Sequence, residues 1–170
     1  MEWADVLSIG ESKLTVTALH VSRFLQAVGN DGVILVPAAR EEQSTLPAMK
    51  SPPSQRELTK STRVMRKSTA LRLQSAMRDT VKRGTAKSIA NVFENTGWQI
   101  GGKTGTGPAL MPKRSEPDGW FAGLIFDAEG KARFTVATFV RSAGAGGGNA
   151  AKISAALGKY LVGAETAISR

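Results

Sequence analysis

The sequence predicts an α+β fold, a small antiparallel sheet covered by helices, and three observations carry that expectation. Two runs of β-branched and aromatic residues near the C-terminus are separated by only five turn-forming residues. Three other stretches carry apolar residues at helical spacing. The length, 170 residues, suits one domain with a fair core or part of a larger one.

Taken in order, Thr17 is placed to cap a helix running to about Val28, with Val21, Phe24, Leu25 and Val28 expected on its core face and Gly29 as its stop. Glu41 to Lys67, with Pro47, Pro52, Pro53 and scattered serines, reads as a long surface connection with one short strand near Arg63 to Met65. A connection of that length counts against a minimal self-contained module. Ser68 is placed to cap a second helix in which Ala70, Leu73, Met77 and Val81 form a stripe and Gly84 ends the run. Trp120 to Phe126 and Ala132 to Val140 read as a hairpin across Asp127-Ala128-Glu129-Gly130-Lys131. In its second strand Phe134, Val136, Thr138 and Val140 share one face and Thr135, Ala137 and Phe139 the other. Both faces are largely apolar, which predicts helices on both sides of the sheet. A strand ending at Lys103-Thr104-Gly105-Thr106 can pair with the Trp120 strand across residues 107 to 119. Gly144 to Gly148 reads as a turn, and Asn149 is placed to cap a last helix with Ile153, Leu157, Tyr160 and Leu161 as its apolar stripe.

Composition removes several kinds of chemistry. There is no cysteine, so disulfides, thiolate nucleophiles and cysteine metal sites are excluded. The single histidine, His20, sits in a helical pattern where an ordinary surface or interface role is expected, and without it no His-dependent triad can form. No cofactor and no metal are expected. No apolar run approaches the ~18 residues of a membrane span, and Met1-Glu2-Trp3-Ala4-Asp5 is acidic where a secretion signal is basic. The net charge of +9 is local: Lys50 to Lys87 holds eleven Lys or Arg against Glu57 and Asp79, and the remainder balances at twelve of each sign. That segment lacks aromatics for base stacking and any helix-turn-helix or zinc spacing, so no nucleic-acid partner is expected. Solvated helix faces, near an anionic envelope surface, fit it better.

The most informative stretch is Gly101-Gly102-Lys103-Thr104-Gly105-Thr106-Gly107. One cation, two hydroxyls and a glycine with no side chain to block a ligand along the backbone make an anion-holding edge. The same residues compete for two other readings. Gly97 to Thr104 satisfies the phosphate-loop pattern of glycine, four residues, then Gly-Lys-Thr, but a phosphate loop must follow a buried strand and open a helix. Here Gly105, Gly107 and Pro108 follow within five residues, and Pro alone opposes a helix interior by about 3 kcal/mol. Upstream, Asn91 to Thr96 lacks the continuous apolar run of a central parallel strand. A plain glycine-rich turn with an exposed lysine is the third reading.

With these residues in hand, the chain resembles the C-terminal half of the transpeptidase domain of penicillin-binding proteins, in the serine β-lactamase and D,D-peptidase superfamily. Ser8-Ile9-Gly10-Glu11 through Thr15-Val16-Thr17-Ala18-Leu19 is similar to the family's Ile-Gly pair before a Val-Thr-Pro-Leu helix start, with Ala18 in place of the proline. Asn30-Asp31-Gly32 with Pro37, then Met77, Val81 and Gly84-Thr85-Ala86, keep the family's order. So do Gly102-Lys103-Thr104-Gly105-Thr106, Trp120-Phe121-Ala122-Gly123 and Gly147-Gly148-Asn149-Ala150-Ala151. The resemblance implies a helix-covered sheet of the β-lactamase/transpeptidase-like fold and acyl transfer through a serine in peptidoglycan cross-linking. It implies stem peptides and β-lactams as partners of the complete domain, and an extracytoplasmic location, in the periplasm or on the outer face of the membrane. Carried over residue by residue, Lys103 supplies positive potential and supports proton transfer. Thr104 and Thr106 hold the substrate carboxylate, the Thr106 N–H is one arm of an oxyanion hole, and Gly105 leaves room for substrate.

The departure from the family pattern is large. None of the eleven lysines has a serine three places before it, and there is no Ser-x-Asn. The resemblance places both elements upstream of Met1, so residues 1–170 are expected to be part of a transpeptidase domain, inert alone because an acyl-enzyme needs a nucleophile. The alternative expectation is a catalytically inactive half-domain that binds a cell-wall peptide or a protein. Either way, exposed apolar surface and an open sheet edge favour a homo-oligomer.

Overall fold

The computed structural model describes residues 15–36, 60–107, 116–143 and 148–168. In chain order these form α1 (Ala18–Gly29), β1 (Val33–Val36), β2 (Lys60–Arg63), α2 (Lys67–Arg83), a 3₁₀ turn (Lys87–Ile89), β3 (Gln99–Gly107), β4 (Asp118–Phe126), β5 (Ala132–Val140) and α3 (Asn149–Ile168). The predicted α+β class holds. β3, β4 and β5 make an antiparallel meander in that order. Gln99 pairs with Phe126 and Gly107 with Asp118, while Gly119 pairs with Val140. The β4–β5 turn works because Gly130 takes a positive φ of 78° and Asp127 accepts from the Lys131 backbone N–H at 2.8 Å.

Alternation along the strands sends two apolar sets to opposite sides, as both faces of the β5 sequence require. Leu124 and Phe126 pack with Leu25 and Val28 of α1 and Met77 of α2. Phe121, Ile125 and Val136 pack instead with Ala150, Ala151, Ala155 and Val162 of α3. Val81, Ala86, Ile89, Phe93 and Ile100 join this second cluster, so the chain passes from one side to the other at the C-terminal end of α2.

Local chemistry fixes the helices, with several differences from expectation. Thr17 does cap α1: its Oγ1 accepts from the His20 N–H at 3.2 Å, and His20 Nδ1 accepts in return from the Thr17 N–H at 3.3 Å. His20 is thus a capping residue. Of the predicted core face of α1, Leu25 and Val28 are buried, Val21 is half-buried and Phe24 is 55% exposed. α2 starts two residues early, at Lys67 behind Arg66, so Ser68 lies inside the helix and no side chain caps it. The expected Arg63–Met65 strand is shifted to Lys60–Arg63, where it pairs antiparallel with β1, a strand the sequence reading did not assign. Gly32 explains that pairing: at φ 90° its carbonyl accepts from Val64 N–H at 2.9 Å, and a Cβ there would strike the Met65 backbone.

α3 differs most. Its buried face is Ala150, Ala151, Ser154, Ala155, Gly158 and Val162, while Ile153 and Leu157 are about half exposed and Tyr160 is 74% exposed. The reason is the close approach of helix to sheet, since a Cβ on Gly158 would stand 2.8 Å from Ile125 Cδ1. Small side chains fit between and Ile153, Leu157 and Tyr160 turn outward, whereas Leu161, the fourth residue of the predicted stripe, is half-buried and packs against the same cluster. Asn149 is the first helical residue, and its amide donates to the Ala143 carbonyl at 3.3 Å. Residues 41–59 of the long connection and most of the Gly144–Gly148 turn lie outside the described residues.

Candidate active site on the outer strand

β3 is an outer strand of the meander, paired on one side with β4. Its glycine pair is dictated by packing. A Cβ on Gly101 would lie 2.9 Å from the Arg78 backbone nitrogen, so α2 rests directly on the strand. A Cβ on Gly102 would lie 2.7 Å from Phe121 Cε2, in the space that the phenyl ring occupies. Gly123, across from Gly102, leaves room for the same ring. These glycines therefore serve a sheet, and residues 99–107 are extended and laddered to β4. The phosphate-loop reading is overturned, because Lys103 and Thr104 lie mid-strand where that reading needs a helix start.

Alternation then distributes the motif. Lys103 and Gly105 lie on one face of β3, Thr104 and Thr106 on the other. Lys103 is exposed, with no acidic partner within ion-pair distance among the described residues, and its ammonium donates to the carbonyl of Thr104. Gly105 sits opposite Trp120, and a Cβ there would meet Trp120 Cβ at 3.1 Å. Trp120 is in turn braced by Phe139, with ring centroids 4.7 Å apart. Thr106 is exposed, whereas Thr104 is only 7% exposed.

The Thr104 hydroxyl is held by a residue to which the sequence reading gave no role. Thr85 Oγ1 lies 2.6 Å from Thr104 Oγ1. Thr85 belongs to Gly84-Thr85-Ala86, which follows α2 directly. The sequence signal was present in that tripeptide, but nothing in it named its partner nineteen residues away.

The start of the strand is flanked by charges of both signs, with Asp79 and Glu94 beside Arg78, Lys82 and Lys87. Arg78 stacks its guanidinium 3.6 Å from the Phe126 ring centroid and donates to the Gly130 carbonyl at 3.0 Å, and burial holds its pKa below the usual arginine value. A cavity of about 660 Å³ lies beside the start of β3, lined by Arg78, Lys82, Lys87, Phe93, Trp98 and Ile100 among others. It does not reach Lys103, which borders the strand edge instead of that cavity. Among the described residues no group of three His, Asp or Glu side chains could hold a metal ion. No helix among them is long and apolar enough to cross a membrane.

Comparison with known proteins gives one family and one fold. The family model for the penicillin binding protein transpeptidase domain matches residues 2–159. No curated protein sequence matches. Among solved structures, the D,D-transpeptidase domain of a peptidoglycan glycosyltransferase from Eggerthella lenta is 25% identical with a TM-score of 0.54, over 86% of this chain and 32% of that one. Penicillin binding protein 3 from Mycobacterium tuberculosis, complexed with aztreonam, is 23% identical with a TM-score of 0.60, over 94% of this chain and 37% of that one. A third likeness is to penicillin-binding protein A from Mycobacterium tuberculosis, in an imipenem acyl-enzyme complex, at 22% identity and a TM-score of 0.53. That match spans 89% of this chain and 33% of the solved one. The chain thus spans about a third of the length of the structures it matches.

Proposed function

The chain belongs to the penicillin-binding protein transpeptidase domain family, and on that premise we propose that residues 1–170 are the C-terminal portion of a serine D,D-transpeptidase domain that cross-links peptidoglycan. The observation that carries the reading is Lys103-Thr104-Gly105-Thr106 extended on an outer strand of the meander. An extended peptide ending in a carboxylate can add to such a strand through main-chain hydrogen bonds, and Gly105 offers no side chain to obstruct it.

In this reaction a serine Oγ from residues outside the 170 attacks the penultimate D-alanyl carbonyl. The serine proton passes to the leaving amine, D-alanine departs, and an acceptor amine later displaces the ester. Lys103 gives the groove its positive potential and supports transfer of the proton to the leaving group. The Thr104 and Thr106 hydroxyls hold the terminal carboxylate, and the Thr106 N–H donates to the tetrahedral oxyanion. A missing oxyanion donor lowers such rates roughly a hundredfold to a thousandfold. β-Lactams would acylate the same serine, and the complete protein would work outside the cytoplasm, where its polymer lies.

Mass spectrometry after incubation with labelled penicillin tests the assignment. Residues 1–170 alone should show no adduct, since no serine stands three places before a lysine. The full-length reading frame should carry one equivalent on an upstream serine. A full-length protein without such a serine, or without an adduct, would favour the inactive binding module instead.

A further inference from the structure

Thr85 lies outside the roles assigned above, yet its surroundings fix it firmly. Gly84 and Ala86 both donate their backbone N–H to the Thr80 carbonyl, at 3.0 and 3.2 Å, and the Lys87 N–H donates to the Gly84 carbonyl at 3.1 Å. Gly84 has no space for a side chain, because a Cβ would lie 2.9 Å from the Thr80 Cα. Ala86 is fully buried in the cluster that contains Phe121. The tripeptide is therefore clamped on both sides of the one residue whose hydroxyl meets Thr104 at 2.6 Å.

A threonine hydroxyl has one proton and two acceptor lone pairs, whereas a carboxylate only accepts. If Thr104 spent its proton on Thr85, it could offer a carboxylate nothing but lone pairs. We propose that Thr85 is a positioning residue: its hydroxyl donates into Thr104 Oγ1, which locks the Thr104 side chain and leaves the Thr104 proton directed at the substrate carboxylate. This rests on the transpeptidase reading above and adds to it a residue that acts only through Thr104.

The test uses the full-length protein and two substrates, benzylpenicillin and its methyl ester, which lacks the free carboxylate. Thr85→Val should slow acylation by benzylpenicillin roughly tenfold to a hundredfold, the range for hydrogen bonds to charged groups. Thr85→Ser, which keeps the hydroxyl, should restore most of the rate. The ester should react with Thr85→Val and the unaltered protein at the same rate. Unchanged acylation by benzylpenicillin in Thr85→Val, or an equal loss for both compounds, would overturn the inference, the latter pointing to a merely structural role. If the unaltered protein takes up no penicillin at all, the transpeptidase reading itself fails and the inference falls with it.

Discussion

Single atoms decide the motif strand. Gly102 is glycine because the Phe121 ring, fully buried, fills the space a methyl group would need. Gly102→Ala must push that ring against Val136 and Ile125 in the same cluster. The expected cost is about 1–3 kcal/mol, the range for overpacking a well-filled core. Urea unfolding reads it as a lower midpoint at unchanged slope. Gly107→Ala is the control, since nothing described lies within 4 Å of its added carbon. Equal midpoints for the two variants would mean that Gly102 is not constrained by Phe121. The two neighbours of one motif thus differ in what they tolerate, for reasons of packing that the motif pattern itself does not contain.

At the scale of elements, what was legible depended on whether a local rule or a distant partner made the decision. The Thr17 cap, the Gly84 stop, the β4–β5 hairpin and the extended state of Lys103-Thr104-Gly105-Thr106 follow from local rules, and all were readable. The burial of α3 was not, because an apolar stripe is the ordinary core signal and here a row of small residues won. The competing signal, Ala151, Ala155, Gly158 and Val162 at helical spacing, was in the sequence but has meaning only once Ile125 is known to press against it. The Thr85–Thr104 pair was hidden for the same reason, each threonine looking like an ordinary strand or turn residue until the fold joined them. Capping gives the element-level prediction. Thr17→Ala removes half of a reciprocal cap and should destabilise the protein by about 1 kcal/mol, seen as a small fall in denaturation midpoint. A full-sized effect on helix content, with α1 lost from the circular dichroism spectrum, would show that the cap nucleates the helix and does more than trim its end.

For the whole molecule, the surface follows from what is buried. With α3 seated on its small residues, Ile153, Leu157 and Tyr160 form an exposed row along the helix, while the meander has two outer strands, β3 and β5. Residues 1–170 alone should therefore self-associate at micromolar concentration, and Ile153→Ser with Leu157→Ser should shift sedimentation toward monomer with little change in unfolding midpoint. A clean monomer before substitution would refute the expectation. One further feature governs how the molecule comes together in time. Ser22 of α1 meets Thr135 of β5 at 2.8 Å across 113 residues of sequence, whereas β3, β4 and β5 each pair with the next strand along the chain. The meander can zip from neighbours, but α1 must wait for a large loop to close, a contact of high order that is slow to form. Truncating Val136, inside the meander cluster, should slow refolding in stopped-flow measurements, while truncating Val28 of α1 should leave refolding nearly unchanged and speed unfolding. α1, made before the meander, would then be among the last of these elements to find its place.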